Sequence, residues 1–481
     1  MKKYLPLWLK LKNNYSQIVL GLFLSTVLAL LYTNLGRDAL FDWDEGIYGE
    51  LGRQIVITKN ILTTFWNGAV WMEKPPGIAW LSAIGIYLLG PSSLGARLLM
   101  PLVAVYVLYV VYRIGNKIGG AHFGFIAAGV LASLNLFLGR TRAVNTDMAL
   151  LASISTTVLF LLENKPSWWV ALSIFGGIWF KGLAGFISLI IALPLLISKP
   201  RKYMISLLIY IFAFVLPWHL YSYLRFKRDF YNPYFIEQVV RRATSQIEFH
   251  FENKWYYFNY LYDNLGVGVI CVTLIGICSL VLKKKNFFLI WWIMAPLGIY
   301  TLAKTRLFWY ILPIYPAISL LIAHAITHFS YTKTSQKIIA ILSIGILIQA
   351  TITTSKSVEI TKKFAQNPDR IQVAQILSKY KDKTLMVLVP PSERLSEALL
   401  PDVAKLSSSF RYGGMPSVVF YFQGNVLFYY DVDKFKDEWQ KAIAPLALIA
   451  VQDIKYIPNN YVEVAITPTY IGIQKGVYAL R

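Results

Sequence analysis

Long uncharged apolar runs constrain this chain more than any other feature. Residues 18–35 and 338–353 carry no charged side chain over close to the 20 or so residues that cross a bilayer. Of the 481 residues, 15% are charged, whereas a soluble protein carries roughly 25%. We therefore predict a polytopic α-helical membrane protein.

The apolar runs predict about 11–13 transmembrane helices. Eleven are placed near residues 18–35, 94–112, 121–138, 146–162, 167–180, 182–198, 203–223, 260–282, 286–303, 307–327 and 338–354. The stretch 77–89 is too short to span and is predicted to be interfacial or re-entrant. The first run lacks a clear small-residue cleavage site, so we predict an uncleaved first helix. Cys271 and Cys278 share one apolar run without metal-ligand spacing and are predicted to be packing residues.

The position of the basic residues predicts the orientation. A formal charge of +22 would suit nucleic acid, but the lysines and arginines lie mainly in short loops between apolar runs, which is typical of cytoplasmic loops. With a cytoplasmic N-terminus, the basic inner-loop residues are Arg113, Lys117, Lys165, Lys199, Arg201, Lys202, Lys283, Lys284, Lys285, Lys333 and Lys337. The one carboxylate in those loops is Glu163. We therefore predict a plasma (inner) membrane protein whose C-terminal part lies outside, because the number of spans is odd.

The composition changes after about residue 355. Short β-rich runs at 384–389, 417–422, 426–430, 446–451 and 461–466 alternate with helix-like segments at 370–379 and 434–442. This alternation predicts a small α/β domain. We expect a transmembrane domain at 1–355, with long outer loops at 36–76 and 224–259, and an extracytoplasmic α/β domain at 356–481.

Charged residues gather on the predicted outer side. The first outer loop contains Asp42-Trp43-Asp44-Glu45-Gly46 and Glu73-Lys74-Pro75-Pro76, and the other outer residues are Arg140, Arg142, Asp147, Lys181, Glu237, Arg241, Arg242, Glu248, His250, Lys304, Arg306 and Tyr310. Ionisable residues beside a membrane are candidates for function.

Each of these residues also has a simpler interpretation. Asp42 and Asp44 could be solvated loop acids, or an Asp-x-Asp metal–nucleotide signature, although nucleotide sugars are not available outside. Lys74 could be an interfacial anchor whose ammonium reaches the headgroups, and His250 a plain surface histidine. The convergence of the residues on one side, rather than any single residue, favours a site.

Four of the motifs resemble a known family. Asp44-Glu45-Gly-Ile-Tyr48-Gly-Glu50, Glu73-Lys74-Pro75-Pro76, Asn145-Thr-Asp147 and Lys304-x-Arg306-x-x-x-Tyr310-Ile-Leu-Pro313 occur in this order. They look like the motifs of the aminoarabinose (lipid A) transferase and protein O-mannosyltransferase group, which are membrane glycosyltransferases of the C-type fold. The resemblance covers the whole predicted membrane part.

The resemblance implies a polyprenyl-phosphate sugar donor, such as an undecaprenyl phosphate sugar, and an inverting transfer. Asp44 would be the catalytic carboxylate, and Glu45 and Asp147 would be further catalytic residues. The predicted substrate-binding residues are Tyr48, Lys74, Arg242, Lys304, Arg306 and Tyr310. Glu73 and His250 would match a metal pair, for a divalent ion such as zinc, and no nucleotide is expected. The aminoarabinose transferases carry an arginine where this chain has Ile47.

The expected reaction suits these residue types. An acceptor hydroxyl loses its proton as it attacks, so a carboxylate can act as general base, and a leaving phosphate favours lysine and arginine at a low-dielectric site. The acceptor could be a lipid A-like lipid, a glycan or a protein. A transporter or lipid flippase is the alternative, but transporters place charges near the midplane within repeats, and we find no repeat. A structural protein with a sensory outer domain would leave the outer charges unexplained.

Overall fold

The chain is described by a computed structural model for residues 7–245, 252–283, 286–327, 333–360, 368–390, 412, 414–457 and 460–475. The helices are α1 (Leu7–Tyr32), α2 (Asp44–Thr58), α3 (Gly77–Leu89), α4 (Ser93–Arg97), α5 (Met100–Gly119), α6 (Ala121–Leu131), α7 (Asn135–Arg140), α8 (Thr146–Leu162), α9 (Ser167–Lys181), α10 (Ile187–Leu196), α11 (Arg201–Phe226), α12 (Arg228–Tyr231), α13 (Arg242–Thr244), α14 (Tyr256–Lys283), α15 (Phe288–Leu302), α16 (Tyr315–Thr327), α17 (Lys333–Ile360), α18 (Pro368–Leu377), α19 (Ser417–Phe422) and α20 (Val432–Lys441). A π-helix covers Asn232–Arg241, and 3₁₀ helices include Gly182–Phe186 and Phe308–Ile314.

Seven helical segments of the described part are long and apolar enough to cross a membrane. They are Tyr15–Tyr32, Ser93–Gly119, Ser167–Leu196, Arg201–Phe226, Tyr256–Leu282, Phe308–Thr327 and Thr334–Val358. Four shorter apolar helices are α3, α6, α8 and α15. The prediction of a multi-pass helical membrane protein is confirmed. Cys271 and Cys278 are exposed on α14, so their predicted role in packing is wrong: these positions lie on an outward-facing side of that helix.

The segment Ser167–Leu196 is interrupted at Gly182, where α9 gives way to the 3₁₀ helix Gly182–Phe186. Gly182 has φ 64° and ψ −150°, a backbone conformation that side chains with a Cβ rarely adopt. A Cβ on Gly185 would lie 2.2 Å from the carbonyl carbon of Gly177, so the 3₁₀ helix packs closely against α9 before α10 begins. The structure therefore agrees with the predicted division into 167–180 and 182–198.

The two ends of the helical bundle differ in the residues that meet there. Helix α8 begins beside Asp147 and ends before Glu163, about 25 Å further along at 1.5 Å per residue. At the Glu163 end, Arg113 forms an ion pair with Glu163, and Lys199 donates a hydrogen bond to Asn164 Oδ1 (2.6 Å). Predicted inner-loop residues thus meet at one end, and predicted outer-loop residues meet at the other.

The C-terminal part contains a five-stranded sheet, as the pattern of short β-rich runs predicts. The strands are β3 (Leu385–Leu388), β4 (Val426–Tyr429), β5 (Leu446–Ala450), β6 (Tyr461–Ile466) and β7 (Tyr470–Lys475), after a hairpin of β1 (Thr64–Trp66) and β2 (Ala69–Trp71) in the first outer loop. The sheet order is β4-β3-β5-β7-β6, with β3 parallel to both β4 and β5 and with β7 antiparallel to its neighbours.

The strand predicted at 417–422 is wrong, because these residues form helix α19. The run Ser-Val-Val-Phe-Tyr-Phe has high β-propensity, but all six residues are buried and the helix packs on α2. A Cβ on Gly46 of α2 would lie 2.6 Å from the backbone nitrogen of Ser417, so the two helices touch through their backbones. Tertiary packing overrides local propensity here.

Candidate functional site

A cavity of about 1080 Å³ opens at the bundle end where the predicted outer loops meet. Its wall comes from the start of α2, the segment before α3, the end of α7, the start of α8, the 3₁₀ helix after α9, the π-helix, and the region around Phe308–Ile314. The predicted site residues that line it are Asp44, Glu45, Tyr48, Glu73, Lys74, Asp147, Arg242 and Tyr310.

Glu45 ties together three segments around the cavity. Its carboxylate accepts two hydrogen bonds from Arg97 (2.9 and 2.6 Å), one from the Phe41 N–H (2.9 Å) and one from the Val144 N–H (2.8 Å). The residue is buried. The first outer loop, α4 and the segment before α8 are therefore joined at one buried carboxylate.

Asp44 is the more accessible of the two neighbouring acids. Its side chain is 39% exposed, against 3% for Glu45. Asp44 begins α2, where a helix N-terminus favours negative charge. The preceding Trp43 has φ 65°, an unfavourable conformation for a bulky residue. Such backbone outliers cluster at functional sites, so the strained turn is consistent with a fixed position for the Asp44 carboxylate.

Asp147 anchors two cations in the cavity wall. It forms ion pairs with Arg140 (2.9 Å) and with Lys181, and its side chain is 3% exposed. Arg140 also lies 3.4 Å from Asp44. The Arg140 guanidinium packs on the Trp309 ring at 4.9 Å, and the Lys181 ammonium lies 4.9 Å from the Tyr310 ring. Both cations are among the outer charged residues that the sequence offers as candidates, but neither was given a catalytic or binding role there.

Lys74 presents its ammonium among aromatic groups. It donates a hydrogen bond to the Tyr48 hydroxyl (2.8 Å) and lies 5.9 Å from the Trp71 ring. Desolvation lowers the pKa of Lys74; Glu73 and Asp44 oppose this shift, and Arg242 and Lys181 add to it. Burial raises the pKa of Tyr48 well above its usual value, and the neighbouring carboxylates raise it further. Tyr48 is therefore a neutral hydrogen-bonding partner at neutral pH.

The π-helix supplies the opposite wall. π-Helices are rare and occur frequently at functional sites. Tyr234, Gln238 and Arg242 recur every fourth residue along this segment, and all three line the cavity. Gln238 donates to Glu73 (3.0 Å) and accepts from Arg242 (3.1 Å), and Arg242 donates to the Tyr310 hydroxyl (2.9 Å).

Some predicted residues lie away from the cavity. Lys304 is exposed, and Arg306 is buried against the backbone carbonyls of Glu252 (2.6 Å) and Thr301 (2.8 Å). Neither lines the cavity, because the strand-like segment between α15 and the next 3₁₀ helix turns Thr305 and Leu307 inward instead. His250 lies outside the described residues.

Asp42, the other acid of the Asp-x-Asp, is not a solvated loop acid. Its carboxylate pairs with Arg370 and accepts hydrogen bonds from the Ser417 hydroxyl and the Ser417 N–H (3.0 Å). Burial raises the pKa of Asp42, while Arg370 and Ser417 counteract that shift. Because all these partners belong to the C-terminal part, Asp42 joins that part to the first outer loop.

Several wall residues were given no catalytic or binding role from the sequence. Lys181, at the end of an apolar helix next to Gly182, was among the outer charged candidates but was not assigned to the site. Gln238 lies four residues before Arg242, which is the spacing of side-chain neighbours on a helix. Tyr412 and Tyr430 also line the cavity, and no local sequence signal indicates them.

The described residues do not form a metal site by themselves. Among them, no group of three or more His, Cys, Asp or Glu residues could hold a metal ion. Both Glu73 carboxylate oxygens accept hydrogen bonds, from Tyr412 (2.8 Å) and from Gln238. The predicted pair of Glu73 with His250 stays a prediction.

The chain is similar to known membrane transferases in sequence. Residues 73–221 match the family described as "Dolichyl-phosphate-mannose-protein mannosyltransferase". An uncharacterized protein of Aquifex aeolicus is 24% identical over 65% of this chain and 64% of its own length. The undecaprenyl phosphate-alpha-4-amino-4-deoxy-L-arabinose arabinosyl transferase 1 of Pseudomonas fluorescens is 24% identical over 64% of this chain and 57% of its own length. The chain therefore spans about six tenths of the length of these relatives.

Solved structures share the fold. ArnT from Cupriavidus metallidurans, bound to undecaprenyl phosphate, has a TM-score of 0.72 and 14% identity over 94% of this chain and 97% of that chain. The oligosaccharyltransferase AglB from Archaeoglobus fulgidus, in complex with an inhibitory peptide and a dolichol-phosphate, has a TM-score of 0.59 and 12% identity over 92% of this chain and 70% of that chain. Another structure of the Archaeoglobus enzyme contains zinc and sulfate. The predicted fold class and the resemblance to the aminoarabinose transferase and O-mannosyltransferase group are confirmed.

The buried Asp147 cluster predicts a large effect on stability. Asp147→Asn keeps the shape of the side chain but leaves Arg140 and Lys181 without its charge, so the free energy of unfolding should fall by about 3–5 kcal/mol. Glu163→Gln breaks the ion pair of Glu163 with Arg113, whose side chain is 38% exposed, and should cost about 1 kcal/mol or less. Thermal and denaturant unfolding in detergent compare the two variants. Equal losses would contradict the assignment of Asp147 as a buried electrostatic anchor.

Proposed function

We propose that this chain is an inverting glycosyltransferase that moves a sugar from a polyprenyl-phosphate donor to a hydroxyl acceptor at the outer face of the membrane. The observation that carries the proposal is the accessible carboxylate of Asp44 in a cavity that also presents Lys74 and Arg242. The acceptor is a lipid A-like lipid, a glycan or a protein. The relatives named above include an undecaprenyl phosphate-alpha-4-amino-4-deoxy-L-arabinose arabinosyl transferase, and nothing in the comparisons supports the alternative of a transporter or lipid flippase.

The chemistry follows from the placement of the groups. Asp44 accepts the proton of the acceptor hydroxyl as its oxygen attacks the anomeric carbon. The bond between that carbon and the phosphate oxygen breaks, and its electron pair goes to the leaving polyprenyl phosphate. Lys74 and Arg242 stabilise the negative charge that grows on this phosphate, an effect that is strong in a water-poor site. A single displacement of this kind inverts the configuration of the anomeric carbon.

The neighbouring residues are proposed to position these groups. Glu45 already accepts four hydrogen bonds, so we assign it to holding the start of α2 rather than to proton transfer. Arg140 contacts both Asp44 and Asp147 and so fixes the two carboxylates relative to each other. Tyr310 and Tyr48 hold the two phosphate-binding cations through hydrogen bonds.

The proposed topology puts the N-terminus in the cytoplasm and the cavity outside. It is supported by the basic residues at the Glu163 end of the bundle, as the positive-inside rule requires. The proposed division is a transmembrane domain at 1–355 and an extracytoplasmic domain at 356–481; helix α17 itself continues to Ile360. We also propose a divalent metal at Glu73 and His250, and the support for this metal is the family resemblance alone.

We predict that Asp44→Asn lowers the turnover number by at least about a hundredfold, because the amide cannot accept the hydroxyl proton. The assay uses purified enzyme with a polyprenyl-phosphate sugar and an acceptor lipid. Asp433→Asn is the matched control, since the Asp433 side chain is 92% exposed in the C-terminal part and does not line the cavity. This control should keep the turnover of the wild type. Near-normal turnover of folded Asp44→Asn would exclude Asp44 as the base.

Lys74→Gln is expected to weaken binding of polyprenyl phosphate by about tenfold or more, since a hydrogen bond to a charged group contributes roughly 1.5–3 kcal/mol. Lys74→Arg should retain part of the affinity despite its different geometry. Lys304→Gln is the control, because Lys304 is exposed and lies outside the cavity wall. The dissociation constant of polyprenyl phosphate is measured for each variant by titrating the detergent-solubilised enzyme with the lipid. Unchanged affinity in Lys74→Gln would make Lys74 an interfacial anchor.

The orientation is tested with single cysteines in a chain whose Cys271 and Cys278 are replaced by alanine. Asp433, with a 92% exposed side chain in the C-terminal part, and Asn164, at the basic end of the bundle, are each changed to cysteine. An impermeant thiol reagent should label position 433 in intact cells and position 164 only after lysis. The reverse pattern would contradict the proposed topology.

A further inference from the structure

Tyr412 belongs to the C-terminal part of the chain but lies in the cavity wall. Its hydroxyl donates a hydrogen bond to Glu73 Oε1 (2.8 Å) and accepts one from the Trp71 indole N–H (2.6 Å). Its ring packs edge-on against Trp66, with 4.7 Å between ring centroids, and against Trp43 at 6.4 Å. The residue is 3% exposed. These contacts hold the hydroxyl in one place beside Glu73.

A chain of hydrogen bonds continues from Tyr412 across the cavity wall. Glu73 receives one hydrogen bond from Tyr412 and another from Gln238, on different carboxylate oxygens. The Gln238 carbonyl oxygen then accepts from Arg242, and Arg242 donates to Tyr310. Each group is fixed by the group before it, so the position of the Arg242 guanidinium depends on a tyrosine 170 residues later in the sequence.

The C-terminal part is firmly attached where Tyr412 enters the cavity. Asp42 pairs with Arg370, and Asn67 exchanges two hydrogen bonds with the backbone of Val426 (2.6 and 2.9 Å). The Tyr421 hydroxyl accepts a hydrogen bond from the Leu40 N–H (2.8 Å). Tyr412 is therefore presented to Glu73 by a body that is docked on the first outer loop at several points.

We propose that Tyr412 is a positioning residue through which the C-terminal part holds Glu73, Gln238 and Arg242 in the arrangement that binds the donor phosphate. This inference rests on the proposed function, because it takes Arg242 as a contact of the phosphate. Tyr412 acts without touching the reacting atoms. The C-terminal part is then a component of the donor site, in addition to any contact that it makes with the acceptor.

The chain offers a matched control for the Tyr412 hydroxyl. Tyr421 is also a buried tyrosine of the C-terminal part, and its hydroxyl also makes hydrogen bonds to the first outer loop and to Ser93 (2.8 Å). Tyr421 does not line the cavity. Tyr412→Phe and Tyr421→Phe therefore remove the same group from the same attachment, but only the first removes it from the hydrogen-bond chain.

The experiment titrates each full-length variant with undecaprenyl phosphate in detergent and measures the KM of a polyprenyl-phosphate sugar beside kcat. Tyr412→Phe should raise the dissociation constant and the donor KM by about five- to tenfold, which is less than the full effect of one hydrogen bond to a charged group because Tyr412 acts on the phosphate through other residues. The KM of the acceptor should stay unchanged, and Tyr421→Phe should match the wild type in donor binding. Thermal unfolding of both variants verifies that each is folded.

A double-mutant cycle separates transmission along the chain from general loosening. Gln238→Leu breaks the same chain further on, so adding Tyr412→Phe to it should weaken donor binding no further. Two results would overturn the inference, provided that the wild type binds undecaprenyl phosphate. One is that the losses of donor affinity in Gln238→Leu and Tyr412→Phe add in the double mutant. The other is that Tyr412→Phe binds the donor as tightly as the wild type. A wild-type enzyme that fails to bind undecaprenyl phosphate would instead overturn the proposed function, and this inference with it.

Discussion

The buried carboxylate of Glu45 is the interaction on which the arrangement of the site depends. A buried charge is costly unless it is paired and fully hydrogen-bonded, and Glu45 meets this requirement with Arg97 and two backbone N–H groups from different segments. To satisfy it, the first outer loop, α4 and the segment before α8 must come together. Asp44, next to Glu45, and Asp147, three residues after Val144, thereby reach the same cavity.

The ionisable groups of the cavity stand where burying a charge costs the least free energy. They stand at or next to helix ends in the wall of the cavity. Asp147 forms ion pairs with Arg140 and Lys181, and Lys74 and Arg242 donate hydrogen bonds to the hydroxyl groups of Tyr48 and Tyr310. These hydrogen bonds fix Lys74 and Arg242 in the cavity wall, where lysine and arginine can bind an anion.

The contacts of the C-terminal part make it a component of the site and not only an appended domain. Helix α19 lies against α2 at Gly46. The Asp42 carboxylate forms an ion pair with Arg370 and accepts a hydrogen bond from the Ser417 N–H. The start of α2, which carries Asp44, is therefore held by Glu45 through its contacts with Arg97 and Val144 and also by the C-terminal part. Tyr412 extends the same attachment into the cavity wall.

The sequence by itself determined the membrane class, the two ends of the bundle and the acids and bases at one end, because length, apolarity and charge are properties of short segments. It also indicated Asp44, Lys74 and Asp147 through local motifs. Only the tertiary structure decided that Lys181 faces the cavity while Arg306 turns to backbone carbonyls. The direction of a side chain at a helix end depends on how that end is rotated, and the contact between Glu73 and Tyr412 joins residues 339 positions apart. No local pattern encodes either.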